Sequence, residues 1–337
     1  MGNNTTEDVQ VWFQFIAYWE LIVCVLGTPL NLLVLFIWST LTLNRRRSPG
    51  RHAQTRNQWF ILSMTSADLL FTSIHAPLFF VWYGDVADIP HPLCQLIYGV
   101  THLTTTVSSL SVLCLNIDKF IYLHWPLHYS AIMTRPRAAA MTVCCWLGAL
   151  AWALLFLFGS FVEHGPHCSL STKHRLFYVF FLVVFFLTPI LLSAIASCYI
   201  AVVAVRARMA EQQPARPVTS LVDETGHHSA KKSARMSAAT MRVELAVVPW
   251  RTITYVFTTT IWCTLTFLPY RITLVISTAT GQPNYWSLLL FAIMVTYAAG
   301  NPLITILTQP NYRTRAAQIF RLGPLAKDTA ATYCTSM

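Results

Sequence analysis

LCLNIDKFIYLHWPLHY, residues 113 to 129, closes a long apolar run with an acid and a base side by side, Asp118-Lys119, and then resumes with aromatics and a Pro-Leu pair. What such a pair does there depends on the solvent around the run. Soluble domains average about 25% charged residues. This chain of 337 residues has 11% charged and 55% hydrophobic residues, a balance that points to lipid. The apolar residues are also grouped: seven blocks lie at about 11–40, 58–83, 94–123, 138–161, 176–204, 252–277 and 286–308. Each is near or above the ~20 residues that cross a ~30 Å hydrocarbon core.

The first block is too long for a signal peptide, lacks a basic leading segment and contains Glu20, so it reads as a mature span. With no repeat of solenoid period, one domain is expected. It has an N-terminal segment at 1–10, seven spans over 11–308 and a tail at 309–337. The longest connector, about 205–251, is basic, contains Pro214, Pro217 and Gly226, and reads as a flexible loop with short helical extensions at its ends. The connectors after the first, third and fifth blocks and the tail carry most of the 23 Lys and Arg. The positive-inside rule then puts the N-terminus outside and the C-terminus inside. The net charge of +10 is dispersed over loops beside spans, which fits a surface of membrane lipids rather than nucleic acid.

Six of the nine cysteines fall inside spans, where a thiol packs as a small apolar group. Cys94 and Cys168 lie instead on the outer side, in an oxidising compartment that permits a bridge between the top of span three and the next outer loop. Asn3 and Asn4 each begin an N-x-Thr sequon and are glycosylation candidates. His164, His167 and Cys168 have metal-ligand residue types, but three ligands in one short loop make a poor zinc site. No dinucleotide, P-loop or zinc-protease motif is present, so no enzyme activity is expected.

Ionisable groups at membrane depth are costly and mark function. Glu20, Asp68, Asp118, Lys119 and Arg271, with His75 and His102, form the whole set. Asp68 is either packing glue or, with oxygens from Ser108 and Asn301, a small-cation site that would take sodium as a modulator; no other cofactor is expected. Asp118-Lys119 sits where water at the cytoplasmic exit can solvate both charges.

Further motifs come in a fixed order. Gly27-Thr28-Pro29-Leu30-Asn31 lies in span one, Ala67-Asp68 in span two, and Cys94 stands 25 residues before Lys119. Asp118-Lys119-Phe120 is followed by Pro126-Leu127-His128-Tyr129, then by Trp146, Pro189 and Phe267-Leu268-Pro269. Asn301-Pro302 and Tyr312-Arg313 complete the series. The set covers almost the whole chain and resembles the rhodopsin-like (class A) G-protein-coupled receptors. Asp118-Lys119-Phe120 stands where that family has Asp-Arg-Tyr, and Asn301-Pro302 looks like the start of Asn-Pro-x-x-Tyr.

The resemblance implies an all-α membrane protein: a seven-transmembrane helix bundle with a short amphipathic eighth helix, in the plasma membrane. It also implies an extracellular ligand and a heterotrimeric G protein as partners. The pocket should include Thr101, His102, Thr105, Phe267, Tyr270 and Arg271. Amine receptors have Asp where this chain has Thr101, so a biogenic amine is not expected, and span seven lacks the lysine that retinal needs. Arg271 either receives an acidic ligand group in bidentate fashion, pairs internally with Glu20, or snorkels to the surface. The outer loop at 162–175 could instead occupy the pocket, as in some orphan receptors that signal without ligand.

Asp118, Lys119, Phe120, Pro126 and Leu127 form the expected coupling face. Pro189, Pro269, Asn301, Pro302 and Thr305 form the expected activation switch. Lys119 keeps the charge of the family's arginine but loses its five-donor fork. Pro249 stands about where the span-six acid would be, and Thr305 replaces the tyrosine of span seven. These departures imply raised basal activity with modest coupling. They also keep a non-coupling receptor-like scaffold in view, and, further off, a transporter. In the tail, Tyr312, Ala316, Ile319 and Phe320 can share one helical face while Arg313 and Arg315 face water, which suits a helix on the inner leaflet. The ending Thr335-Ser336-Met337 resembles a PDZ ligand.

Overall fold

Seven helices among the described residues are long and apolar enough to cross a membrane: Val11–Leu43, Gln58–Val81, Pro92–His124, Arg135–Phe158, Arg175–Arg206, Ile253–Thr280 and Trp286–Thr308. They are called spans one to seven below. The computed structural model describes residues 3–46, 57–85, 91–159, 162–163, 169–170, 174–212, 250–281 and 286–320. Each span boundary falls within three residues of the sequence expectation, because long apolar runs leave little choice where every backbone group must be bonded internally. The first helix runs Asn3–Arg46, so much of the expected N-terminal segment continues the helix of span one. Span five extends to Gln212 and the helix of span six begins at Trp250.

Prolines shape the spans. Pro77 and Pro189 lack an N–H, and their rings crowd the carbonyls four residues earlier. Those carbonyls, of Ser73 and Phe185, lie within wide π-helical turns at Phe71–His75 and Val183–Leu187. The Thr188 backbone N–H closes the second wide turn on the Val183 carbonyl, and the Thr188 hydroxyl donates to the same oxygen at 2.9 Å.

Span three is the axis of the bundle: 72% of its apolar window is buried, against 22–28% for spans one, four and five. The exposed side chains of those three spans include Val25, Phe36, Leu147, Leu155 and Ile195, a surface suited to lipid. Spans one, two and seven approach closely at Gly27, where a Cβ would lie 2.7 Å from Thr72 Cγ2. Asn31 fastens the same junction by donating to the Gly27 and Ala298 carbonyls, each at 2.9 Å.

Between spans four and five, Val162–Glu163 pairs antiparallel with Ser169–Leu170 in a short hairpin. The end of the bundle that carries it is called the hairpin end. At the opposite end, Pro310–Ile319 forms the expected eighth helix, starting on a proline at its first turn. Of the expected apolar face, Tyr312 and Ala316 are buried against the protein beside Ala317, and Ile319 and Phe320 are exposed.

Candidate functional site

The polar side chains singled out in the sequence gather at three levels along span three. At mid-depth, Ser108 Oγ donates to Asp68 Oδ1 at 3.0 Å and Asn301 Nδ2 donates to Asp68 Oδ2 at 2.9 Å. All three residues are fully buried, so spans two, three and seven meet on one carboxylate. The donor set fits a small cation in part. Asp68 and Ser108 offer oxygens, but Asn301 turns its amide nitrogen to the carboxylate, and its Oδ1 accepts from Cys263 Sγ at 3.5 Å.

Toward the hairpin end lies a cavity of about 220 Å³. Of the six residues expected in a pocket, Thr101, His102, Tyr270 and Arg271 line this cavity. Thr105 sits behind the wall and accepts from Arg271 Nη2 at 2.9 Å. Phe267 is fully buried against Tyr297, with ring centroids 4.6 Å apart, and does not line the cavity. The two rings of His102 and Phe156 stack at 4.2 Å. Both His102 nitrogens are engaged, Nδ1 with the Tyr98 carbonyl at 2.9 Å and Nε2 with the Tyr178 hydroxyl at 3.0 Å.

Arg271 is 1% exposed, so it does not snorkel. It does not pair with Glu20 either: Glu20 Oε2 lies 3.1 Å from Nδ1 of His75, close enough for an ion pair though outside hydrogen-bond geometry. Among the described residues Arg271 has no acidic partner. Its guanidinium carbon instead lies 3.9 Å from the Phe186 ring centroid, a cation–π contact, and its Nε is buried without a hydrogen-bond partner. Cys94, at the same end, is disulfide-bonded, while Cys168, Asn3, Asn4 and Pro249 fall where side chains lie outside the described residues.

At the opposite end the expectation of solvated charges is corrected. Asp118 is fully buried and Lys119 is 7% exposed. Lys119 Nζ donates to Asp118 Oδ2 at 2.7 Å, and the Tyr129 hydroxyl donates to Asp118 Oδ1, also at 2.7 Å. Tyr129 begins a one-turn helix, Tyr129–Ile132, in the connector after span three, and its ring packs edge-on against Tyr122. This cover excludes the water that sequence reasoning supplied. Phe120 stacks on His124 and tilts against Tyr199 of span five, while Leu127 is exposed on the connector and Pro126 half-buried.

Two further contacts went unread in the sequence. Asn116 Nδ2 donates to Thr260 Oγ1 at 2.8 Å and ties span three to span six. Thr305, fully buried, turns its hydroxyl back to the Asn301 carbonyl at 2.9 Å. Near it, Tyr255 of span six and Tyr312 of the eighth helix share a cluster with Ile304. Pro302 is buried beside Asn301, and Pro269 lies inside the helix of span six.

A seven-helix bundle with a cavity at one end, a buried polar hub at mid-depth and an acid–base pair at the other end defines a heptahelical receptor. The model of the 7 transmembrane receptor (rhodopsin family) matches residues 18–304, and the chain belongs to that family. It is thus a multi-pass G-protein-coupled receptor, of a class that acts through heterotrimeric G proteins. Its relatives include the G-protein coupled receptor aex-2 of Caenorhabditis elegans, 26% identical over 88% of this chain and 80% of that protein. G-protein coupled receptor 26 of Mus musculus is 26% identical over 77% of this chain and 79% of its own length. Melanopsin of Felis catus is 25% identical over 80% of this chain but only 55% of itself.

Proposed function

We propose that this receptor lies in the plasma membrane with its N-terminus outside, takes an acidic extracellular ligand at Arg271 in the hairpin-end cavity, and signals with raised basal activity. The observation that carries the reading is the buried guanidinium at a cavity wall with no acid beside it among the described residues. A charge left unpaired at low dielectric is costly, and an anion entering the cavity relieves that cost. Thr101, His102 and Tyr270 shape the remaining wall, and a Cys94–Cys168 bridge would hold the outer loop over the mouth.

Raised basal activity is inferred from the coupling face. Lys119 pairs with Asp118 on its own helix, so this ion pair does not tie span three to span six. With less differential stability to overcome, more of the open form is populated without ligand. Phe120, Pro126 and Leu127 would meet the G protein as Pro189, Pro269 and Asn301-Pro302 let spans five to seven move. Sodium at Asp68 and Ser108 would favour the closed form, with Asn301 positioning the carboxylate. Exposed Ile319 and Phe320 suit membrane lipids, and the C-terminus suits a PDZ domain.

A non-coupling scaffold is favoured only by Lys119 and by Thr305, whose hydroxyl is spent on its own helix. The deciding experiment is basal G-protein activation in membranes from cells expressing the parent, Lys119→Arg and Thr305→Tyr. Activity above mock-transfected membranes, raised further by either variant, is expected. Silence in all three at normal surface expression would leave the scaffold reading.

A further inference from the structure

We propose that the ligand is a small amphiphilic monocarboxylate, an aryl- or alkyl-alkanoate of about ten non-hydrogen atoms, with its carboxylate on Arg271 and its apolar body toward spans one, two and seven. This rests on the acidic-ligand reading above and narrows it by size, charge number and polarity.

Size comes first. At about 220 Å³ among the described residues, the cavity suits a small molecule better than a peptide or a two-chain lipid. Ligand sites commonly span ~300–1,000 Å³, so this one is small.

Charge number follows from the lining. Arg271 is the sole Lys or Arg among the described lining residues. The two lining histidines add no uncompensated cation. His102 is bonded at both nitrogens, and His75 has Nδ1 3.1 Å from the Glu20 carboxylate, which meets any charge on that ring. A carboxylate therefore meets one fixed cation, whereas a dianionic phosphate would bring a second charge with no cation to receive it. The guanidinium is also prepared for a planar anion. Phe186 covers its face and Thr105 occupies Nη2, while Nε has no partner.

Polarity fixes the other end. From Arg271 the cavity reaches Ile16 on span one, Phe79 on span two, and Leu288 and Phe291 on span seven, all apolar. Glu20 could have attracted an amine, but it is fully buried and does not line the cavity. An amino group carried on the ligand would thus be desolvated without an acidic partner among the described lining residues.

The test uses the purified full-length receptor in detergent and reads ligand-dependent thermal stabilisation, with no G protein present. The probes are 3-phenylpropionate, its methyl ester, 3-phenylpropylamine and phenyl phosphate. Saturable stabilisation by the acid alone is expected. Arg271→Gln should weaken the acid by about tenfold or more, since it removes a charge-assisted hydrogen-bonded pair. Leu288→Trp should weaken it comparably by filling the apolar end while leaving Arg271 in place. If Arg271→Gln does not fold, as judged by its unliganded melting curve, Leu288→Trp decides.

Equal stabilisation by the ester or amine, tighter binding of phenyl phosphate, acid binding indifferent to both variants, or no effect of the acid at millimolar concentration would each overturn the proposal. Because binding is read without G protein, its failure beside intact basal signalling rejects the ligand class and leaves the receptor reading standing. A receptor that binds the acid yet never activates a G protein does the reverse.

Discussion

The two ends of the bundle each bury one cation, and they treat it in opposite ways. Lys119 lies against Asp118 at 2.7 Å, and the same carboxylate takes a second bond from Tyr129. Arg271 is buried as deeply but, among the described residues, holds a threonine hydroxyl and the faces of the Phe186 and Tyr270 rings. The lysine end is complete in itself. Among the described residues the arginine end lacks a counter-charge, which is what distinguishes a wall awaiting a ligand from a structural ion pair. Between them the Asp68 hub joins spans two, three and seven.

The contrast is most severely tested by removing the acid from the completed end. Asp118→Ala would leave Lys119 buried without an anion, and a loss of about 3–5 kcal/mol is expected in thermal or denaturant unfolding of the purified receptor. A loss near zero would mean that Lys119 reaches water and that its pairing is incidental. Next in size is Asp68→Ala, which strands the Asn301 amide and the Ser108 hydroxyl. A loss of about 2 kcal/mol is expected, together with disappearance of any sodium dependence of agonist binding.

Tyr129→Phe removes one of the two donors to Asp118 while keeping the ring against Tyr122. It should cost about 1.5–2 kcal/mol, the lower end for a hydrogen bond to a charged group, and raise basal G-protein activation. Smallest is Thr260→Val, which keeps the shape but takes the acceptor from Asn116. About 1 kcal/mol should be lost. Basal activity should rise here too, because a tie between spans three and six is released.

Much of this was legible in the sequence, for identifiable reasons. Span positions follow from runs of apolar residues long enough to leave no alternative, and position along those runs placed Asp68, Ser108 and Asn301 at similar depth. What the sequence did not reveal was rotation. Glu20, His75 and Arg271 were all recognised as costly at membrane depth, yet Glu20 faces His75 rather than Arg271. Which of two cations a carboxylate meets depends on how neighbouring helices turn about their axes, and a lone acid in an apolar run carries no record of that. Tyr129 was missed for a related reason. Its hydroxyl returns to Asp118 only because the connector folds into a single helical turn beneath span three. Tyr129 thereby helps to cover the buried Asp118.

The unpaired state of Arg271 can be measured directly, without knowledge of the ligand. Arg271→Met keeps the apolar volume and removes the charge, while Thr105 retains its bond to the Thr101 carbonyl at 2.6 Å. If the guanidinium is uncompensated, the ligand-free variant should unfold at a higher temperature than the parent, with a gain of about 1 kcal/mol. A fall in melting temperature would show that Arg271 already has its counter-charge within the protein, and would contradict its role as the ligand's anion site.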